Sequence, residues 1–210
     1  MARTRATDYD DKRRAILDRS AELFAAYGYD RASMNKIADA CGFTKANLYH
    51  YYSDKEELLF DVIRFHLEEL LEVVEAADDS GLPPEDRLRA LVGALLEAYQ
   101  DADAQHKVQI NNHGLLPPAR QAELKDMERE LVRILADAVV GIAPQLTGTT
   151  LLKPVTMSLF GMINWHYLWF KPNGPITRRE YADLVTQLIV DGTQGLLRQA
   201  RKAPRATAAE

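Results

Sequence analysis

Apolar residues recur along this chain at helical spacing. Ile16, Ala21, Leu23, Phe24 and Tyr27 form one stripe, and Leu88, Leu91, Val92, Leu95, Leu96 and Tyr99 form a cleaner one. Leu124, Met127, Leu131, Ile134, Leu135, Ala138 and Ile142 repeat the pattern, as do Tyr181, Leu184, Val185, Leu188, Ile189, Gly192 and Leu196. No stretch alternates with the period of a strand. The breakers fall between the stripes: Gly28, Asp79 to Pro84, Gly114 with Pro117-Pro118, Pro144 to Gly148, and Pro172 to Pro175. The pattern predicts an all-α fold of nine helices, over residues 9–28, 34–40, 45–51, 54–78, 84–104, 106–113, 118–142, 150–170 and 177–200. Beyond Arg198 the period is lost, and 201–210 is expected to be a frayed tail.

Two short helices and the turn between them stand apart from the long amphipathic ones. Residues 33–57 read SMNKIADACGFTKANLYHYYSDKEE. Ser33 is placed to N-cap the first helix, without a capping box because Lys36 stands where Glu would help. Gly42 permits a tight turn with positive φ, and Phe43 is expected to plug that turn into the core. Thr44 is placed to cap the second helix, which Leu48 anchors. Small Ala38 lets the two helices cross closely. Helix, short Gly-containing turn and helix make a helix-turn-helix, whose second helix enters the major groove of DNA.

The positions on and around that second helix carry groups suited to DNA. Lys45 can bond guanine O6 and N7, and Asn47 can bond adenine in bidentate fashion. The hydroxyls of Thr44 and Tyr49 and the ammonium of Lys55 suit phosphate oxygens, which fix register. His50 suits either. Ser33, Asn35, Lys36 and Ala46 complete the expected DNA-binding set.

Charge at first argues the other way. The chain of 210 residues carries a formal net charge of -5. Residues 1–60 balance ten basic against ten acidic side chains, so the whole deficit lies in residues 61–210. Residues 1–53 alone hold nine Lys and Arg against seven Asp and Glu. Any contact with DNA must therefore come from placement, including Arg3 and Arg5 on an expected flexible arm. Cys41 is the single cysteine, which excludes an intramolecular disulfide framework. Together with an N-terminal stretch that lacks the apolar run of a secretory signal, it points to the cytoplasm. The uncharged run from Pro154 to Phe170 is at the short edge of a membrane span, but it includes Thr156, Ser158, Asn164 and His166. It is read as a helix buried on more than one face, with no membrane partner.

The segment IADACGFTKANLYHYYSDKEELL resembles the signature of the TetR (tetracycline repressor) family. The match lies at Ile37, Ala38, Ala40, Gly42, Phe43, Thr44, Leu48, Tyr49, Tyr51, Lys55, Glu56 and Leu58. One departure is Tyr52, where the family pattern has Phe; a buried hydroxyl there needs a partner. The resemblance implies a ligand-responsive repressor that binds double-stranded operator DNA and is not an enzyme. It divides the chain into a three-helix DNA-binding domain (1–53), an effector-binding and dimerisation domain (54–200) and the tail. The homodimer would form through the helices at 150–170 and 177–200, on a near-palindromic operator.

The C-terminal half, with HGLLPPARQAEL and FGMINWHYLWFKPNGPITRREYADL, resembles the family branch that answers to acyl-CoA thioesters, including regulators of phenylacetate and fatty-acid catabolism. The implied effector is an acyl-CoA such as phenylacetyl-CoA; the alternative is an uncharged aromatic or lipophilic compound. Phe65, Leu95, Tyr99, Asn112, His113, Met127, Phe160, Asn164, Trp165 and Trp169 are candidate pocket residues. Lys107, Arg120, Lys171, Arg178 and Arg179 are candidate partners for the CoA phosphates, with Arg129 and Arg133 considered beside them. No cofactor is expected. No Gly-rich phosphate loop, nucleophile elbow or zinc-protease motif is present. His106 and His113 share a helical spacing, but a metal would need a further ligand such as Asp103, and no metal site is read.

Overall fold

The structure, a computed structural model, describes the backbone of residues 2–171 and 173–202 and the side chains of residues 9–171 and 173–199. Among these residues there is no strand. Nine α-helices follow in order: α1 (Ala2–Tyr27), α2 (Met34–Ala40), α3 (Lys45–Tyr51), α4 (Lys55–Ala77), α5 (Pro84–Ala98), α6 (Asp103–Asn112), α7 (Pro118–Ile142), α8 (Leu152–Asn164) and α9 (Arg178–Lys202). Short 3₁₀ turns occupy His113–Leu115, Pro144–Leu146 and His166–Leu168. Of the expected tail at 201–210, residues 201 and 202 still belong to α9, and 203–210 lie outside the described residues. No described helix is long and apolar enough to cross a membrane.

Three boundaries differ most from the sequence expectation, and α6 also begins at Asp103 instead of residue 106. The backbone of α1 is already helical at Ala2, so the segment expected as an arm continues the helix; the side chains of Arg3 and Arg5 lie outside the described residues. α5 stops at Ala98 instead of running to 104. The reason lies in Tyr99 and His106, whose ring centroids are 4.4 Å apart. Seven residues along one continuous helix would separate them by about 10 Å, so the chain must turn between them. The helix expected over 150–170 ends at Asn164. Two of its last-turn carbonyls are taken from outside the helix: the Tyr181 hydroxyl donates to Met162 O at 2.8 Å, and His166 Nδ1 lies 3.2 Å from Ile163 O.

The chain forms two compact units. The first comprises residues 1–70 and 99–128. In it α1 packs on α2 and α6, and α2 on α3. Ile16, Phe24, Ile37, Leu48, Leu58, Leu59, Ile63 and Leu67 are fully buried there. The second comprises residues 71–98 and 129–210, with α9 packed on α5 and α8. The α5 stripe Leu88, Leu91, Val92, Leu95 and Leu96 is wholly buried in it. Arg87 grips Asp78 with both ends of its guanidinium, Nε at 2.5 Å and Nη2 at 2.9 Å, and this holds the chain where it turns into α5.

Local chemistry sets the helix ends. Ser33 Oγ accepts from Lys36 N and Thr44 Oγ1 from Asn47 N, so both expected N-caps form. The α2 stop is a Schellman turn: Phe43 N donates to Ala38 O at 2.9 Å and Gly42 N to Asp39 O at 3.1 Å, with Gly42 at φ 68°. Asp54 caps α4 through Glu57 N. Thr177 and Glu180 exchange both hydrogen bonds of a capping box at the start of α9, a signature that stands in the sequence as T-x-x-E.

A Cβ at Gly42 would meet nothing within 4 Å, so only the left-handed backbone opposes a side chain there. Gly42→Ala is expected to lower unfolding free energy by about 1–2 kcal/mol, read from urea denaturation. An unchanged midpoint would show that the turn does not depend on positive φ.

Candidate nucleic-acid interface

α3 is seven residues long and buries Leu48 alone. Lys45, Ala46, Asn47, Tyr49 and His50 are all exposed, as is the cap Thr44. The Lys45 ammonium lies 5.7 Å from the Tyr49 ring centroid, one helical turn on. His50 meets Tyr51 edge-on at 5.8 Å. On its other contacts Tyr51 stacks with Tyr9 of α1 at 4.8 Å and with Phe43 of the turn at 6.2 Å. Phe43 is only half-buried, so it joins this aromatic row instead of filling the core. A row of donors and rings on the open face of a short, firmly capped helix can present hydrogen-bonding groups to a groove without first having to fold.

The basic residues around α3 divide into two kinds. Lys45 is open to solvent. Lys55 and Lys36 are tied to the chain itself: Lys55 Nζ donates to Tyr29 O at 2.8 Å and sits 4.1 Å over the Tyr29 ring, and Lys36 Nζ donates to Arg31 O at 3.2 Å. Ser33 and Asn35 are exposed at the start of α2. Cys41 is half-buried beside the turn, and burial pushes its thiol pKa up. That keeps it a thiol and a poor nucleophile.

Of the ten candidate pocket residues, five fall in each unit. In the first unit Tyr99 is buried against His66 and His106. His66 Nε2 and His106 Nδ1 are 3.5 Å apart. Burial, then the neighbouring His106, lowers the His66 pKa to about 3, so this imidazole stays neutral. Phe65 lies under two guanidiniums, those of Arg13 and Arg64. Asn112, His113 and Met127 are half-buried. In the second unit Leu95 and Phe160 are core. Asn164 is half-buried at the end of α8, while Trp165 and Trp169 are 50% and 49% exposed. Trp169 meets Tyr181 edge-on at 4.9 Å.

The candidate phosphate partners fall in both units. Lys107 Nζ donates to Ala25 O in the last turn of α1 at 2.9 Å. Arg120 pairs with Glu56 at 3.3 Å and covers the Phe60 ring. Arg178 lies over Phe170 at 4.8 Å. Arg133 is engaged by Glu130 and Asp137. Lys171, Arg179 and Arg129 are exposed. Among the described residues no group of three or more His, Cys, Asp or Glu side chains could hold a metal ion.

A capped helix-turn-helix presenting an open second helix, on an all-helical chain, is the architecture of a DNA-binding transcription regulator. The comparisons narrow that class. Residues 16–62 match the family of bacterial regulatory proteins named for tetR, and residues 81–193 match the tetracyclin repressor-like C-terminal domain. A TetR-family transcriptional regulator from Bordetella parapertussis 12822 is 34% identical and superposes with a TM-score of 0.80, over 87% of this chain and 96% of that one. AibR, solved in complex with isovaleryl coenzyme A and operator DNA, is 30% identical with a TM-score of 0.74, over 85% and 98% of the two chains. The repressor KstR2 of Mycobacterium tuberculosis H37Rv is 24% identical over 190 residues, which is 89% of this chain and 95% of its own. The chain belongs to the TetR family. It is a TetR-type DNA-binding transcriptional repressor, not an enzyme, and the family acts through operator DNA and small-molecule effectors.

The Lys55 tether can be tested without DNA. A hydrogen bond from a charged donor is worth about 1.5–3 kcal/mol, so Lys55→Met should destabilise the protein by an amount of that order in urea. If stability is unchanged, the tether to Tyr29 does not hold the head together.

Proposed function

We propose that this repressor binds a near-palindromic operator as a homodimer and leaves it when an acyl-CoA thioester, phenylacetyl-CoA first among candidates, occupies the helical body. The observation that carries the DNA half is α3, which turns Lys45, Ala46, Asn47, Tyr49 and His50 to solvent around one buried leucine. We assign base reading to Lys45 and Asn47, and phosphate contact to Thr44, Tyr49, Ser33, Asn35 and Lys36, with His50 serving either. Lys55 takes part through its hold on Tyr29. Residues 1–53 act as the DNA-binding domain and 54–200 as the effector and dimerisation domain, in the cytoplasm.

The dimer assignment rests on α9, whose apolar stripe is split. Tyr181, Val185 and Ile189 are buried, whereas Leu184 and Leu188 are 46% and 53% exposed. Met157 of α8 is 47% exposed. A second copy would cover this second face, and each leucine buried there would contribute about 1.5–3 kcal/mol. Leu188→Glu should therefore yield a monomer by light scattering and abolish operator binding; a dimeric variant would place the interface elsewhere.

The effector assignment is supported by the likeness to AibR, which was solved with isovaleryl coenzyme A. A feature of this chain agrees with it: Gln109 Oε1 and His113 Nε2 are buried without a hydrogen-bond partner, four residues apart on one face. Buried polar atoms need hydrogen-bond partners, which the polar groups of a ligand or a bound water can supply. Lys171 and Arg179, in the second unit, are exposed cations of the kind that CoA phosphates need. The engagement of Lys107 and Arg120 by the protein's own chain favours the second reading, an uncharged lipophilic effector.

One titration tests the whole. A duplex from the protein's own promoter should be retarded, with affinity falling steeply in salt. Lys45→Ala should weaken it by about tenfold or more, the worth of a base contact. Phenylacetyl-CoA should release the duplex and phenylacetate should not; equal release by both, or by neither, would sink the CoA assignment.

A further inference from the structure

Tyr52 stands where the family pattern has Phe, and its hydroxyl has found partners. The residue is the C-cap of α3: its backbone N–H donates to Leu48 O at 3.0 Å, and its ring is 1% exposed. Arg13 Nε of α1 donates to the hydroxyl oxygen at 3.1 Å. Arg13 Nη2 pairs with one oxygen of Asp61 on α4, and Arg64 Nε reaches the other at 3.2 Å. Asp61 is 6% exposed. The two guanidiniums lie 4.6 and 4.7 Å from the Phe65 centroid. One buried carboxylate thus ties the end of the reading helix to both α1 and α4.

We infer that the Tyr52 hydroxyl, Arg13 and Asp61 form a positioning device that fixes the direction of α3 on α4, and with it the half-site separation a dimer accepts. The physical argument is about rotation. α3 buries one residue of its own, Leu48, and the Tyr52 ring at its C-cap is the second apolar anchor. Apolar burial is non-directional, so these two contacts alone leave the helix free to turn about the line that joins them. A hydrogen bond is directional, and this one acts at the opposite end of the last turn. The Tyr51–Tyr9 stack braces the helix to α1 as well, but it does not reach α4. Asp61 does, so α3 and α4 must move together while the cluster is intact.

The inference rests on the dimeric operator reading above, and the test separates the two. Tyr52→Phe removes one oxygen and keeps the ring that the family pattern carries, so the variant retains its packing. The probes are the promoter duplex and two relatives with one base pair inserted or deleted at the centre, a change of about 3.4 Å in half-site separation. Wild type should lose roughly tenfold or more in affinity on either altered duplex. In Tyr52→Phe that spacing penalty should fall to about threefold or less, with a modest loss on the original duplex. Asp61→Asn should relax spacing in the same direction. A role confined to stability would lower binding to all three duplexes alike and leave their ratio unchanged; that result overturns the inference while the dimer stands. A wild-type protein indifferent to spacing overturns both.

Discussion

A carboxylate in the core has to be matched, and Asp61 is matched from two directions. Arg13 and Arg64 are part-buried, and a hydrogen bond to a charged group is worth about 1.5–3 kcal/mol, so neither is free to leave the carboxylate. Arg13 comes from α1, Arg64 from α4, and Tyr52 from the end of α3. The placing of the three helices follows from that one group. Burial first, then the Asp61 charge, pushes the Tyr52 phenol pKa up, so it stays protonated and works only as a hydrogen-bonding group. The α2 and α3 caps and the Schellman turn then shape the local backbone, while the charge cluster decides where it points.

The same first unit has a second polar contact between helices, between α1 and α6. Gln105 Nε2 donates to Asp18 at 2.9 Å, and Lys107 Nζ takes the Ala25 carbonyl in the last turn of α1. A cation at the C-terminal end of a helix is favoured by its dipole, and this one stands just before Gly28, where the chain leaves for α2. His106 sits between these two residues in sequence but turns inward to His66 and Tyr99. One turn of α6 therefore carries a face on the DNA-reading head and a face in the buried aromatic cluster.

Much of this was legible in the chain. The Gly28 stop, the Ser33 and Thr44 caps, the Gly42 turn and the Leu48 anchor are decided within a few residues, by capping and by left-handed backbone, and all five appear as read. The α5 stripe was legible because Leu88, Leu91, Val92, Leu95 and Leu96 are all buried on one side of the helix. The α9 stripe marked the helix but not how it divides: Tyr181, Val185 and Ile189 are buried while Leu184 and Leu188 are exposed, and a period of 3.6 registers both sets as one amphipathic face. The end of α8 was hidden because Met162 and Ile163 are terminated by a tyrosine and a histidine outside the helix.

What the sequence determined by itself is the helix-turn-helix and its family, because the necessary contacts lie within about twenty residues and each residue type has one local role. Tertiary structure decided which charges are available. Lys45 is open, whereas Lys55, Lys107 and Arg120 are held by Tyr29, Ala25 and Glu56. It also supplied the partner that the Tyr52 hydroxyl required, thirty-nine residues away at Arg13. An ammonium or guanidinium on a long side chain reaches whatever acceptor the fold brings near it, and spacing along the chain carries no record of that acceptor.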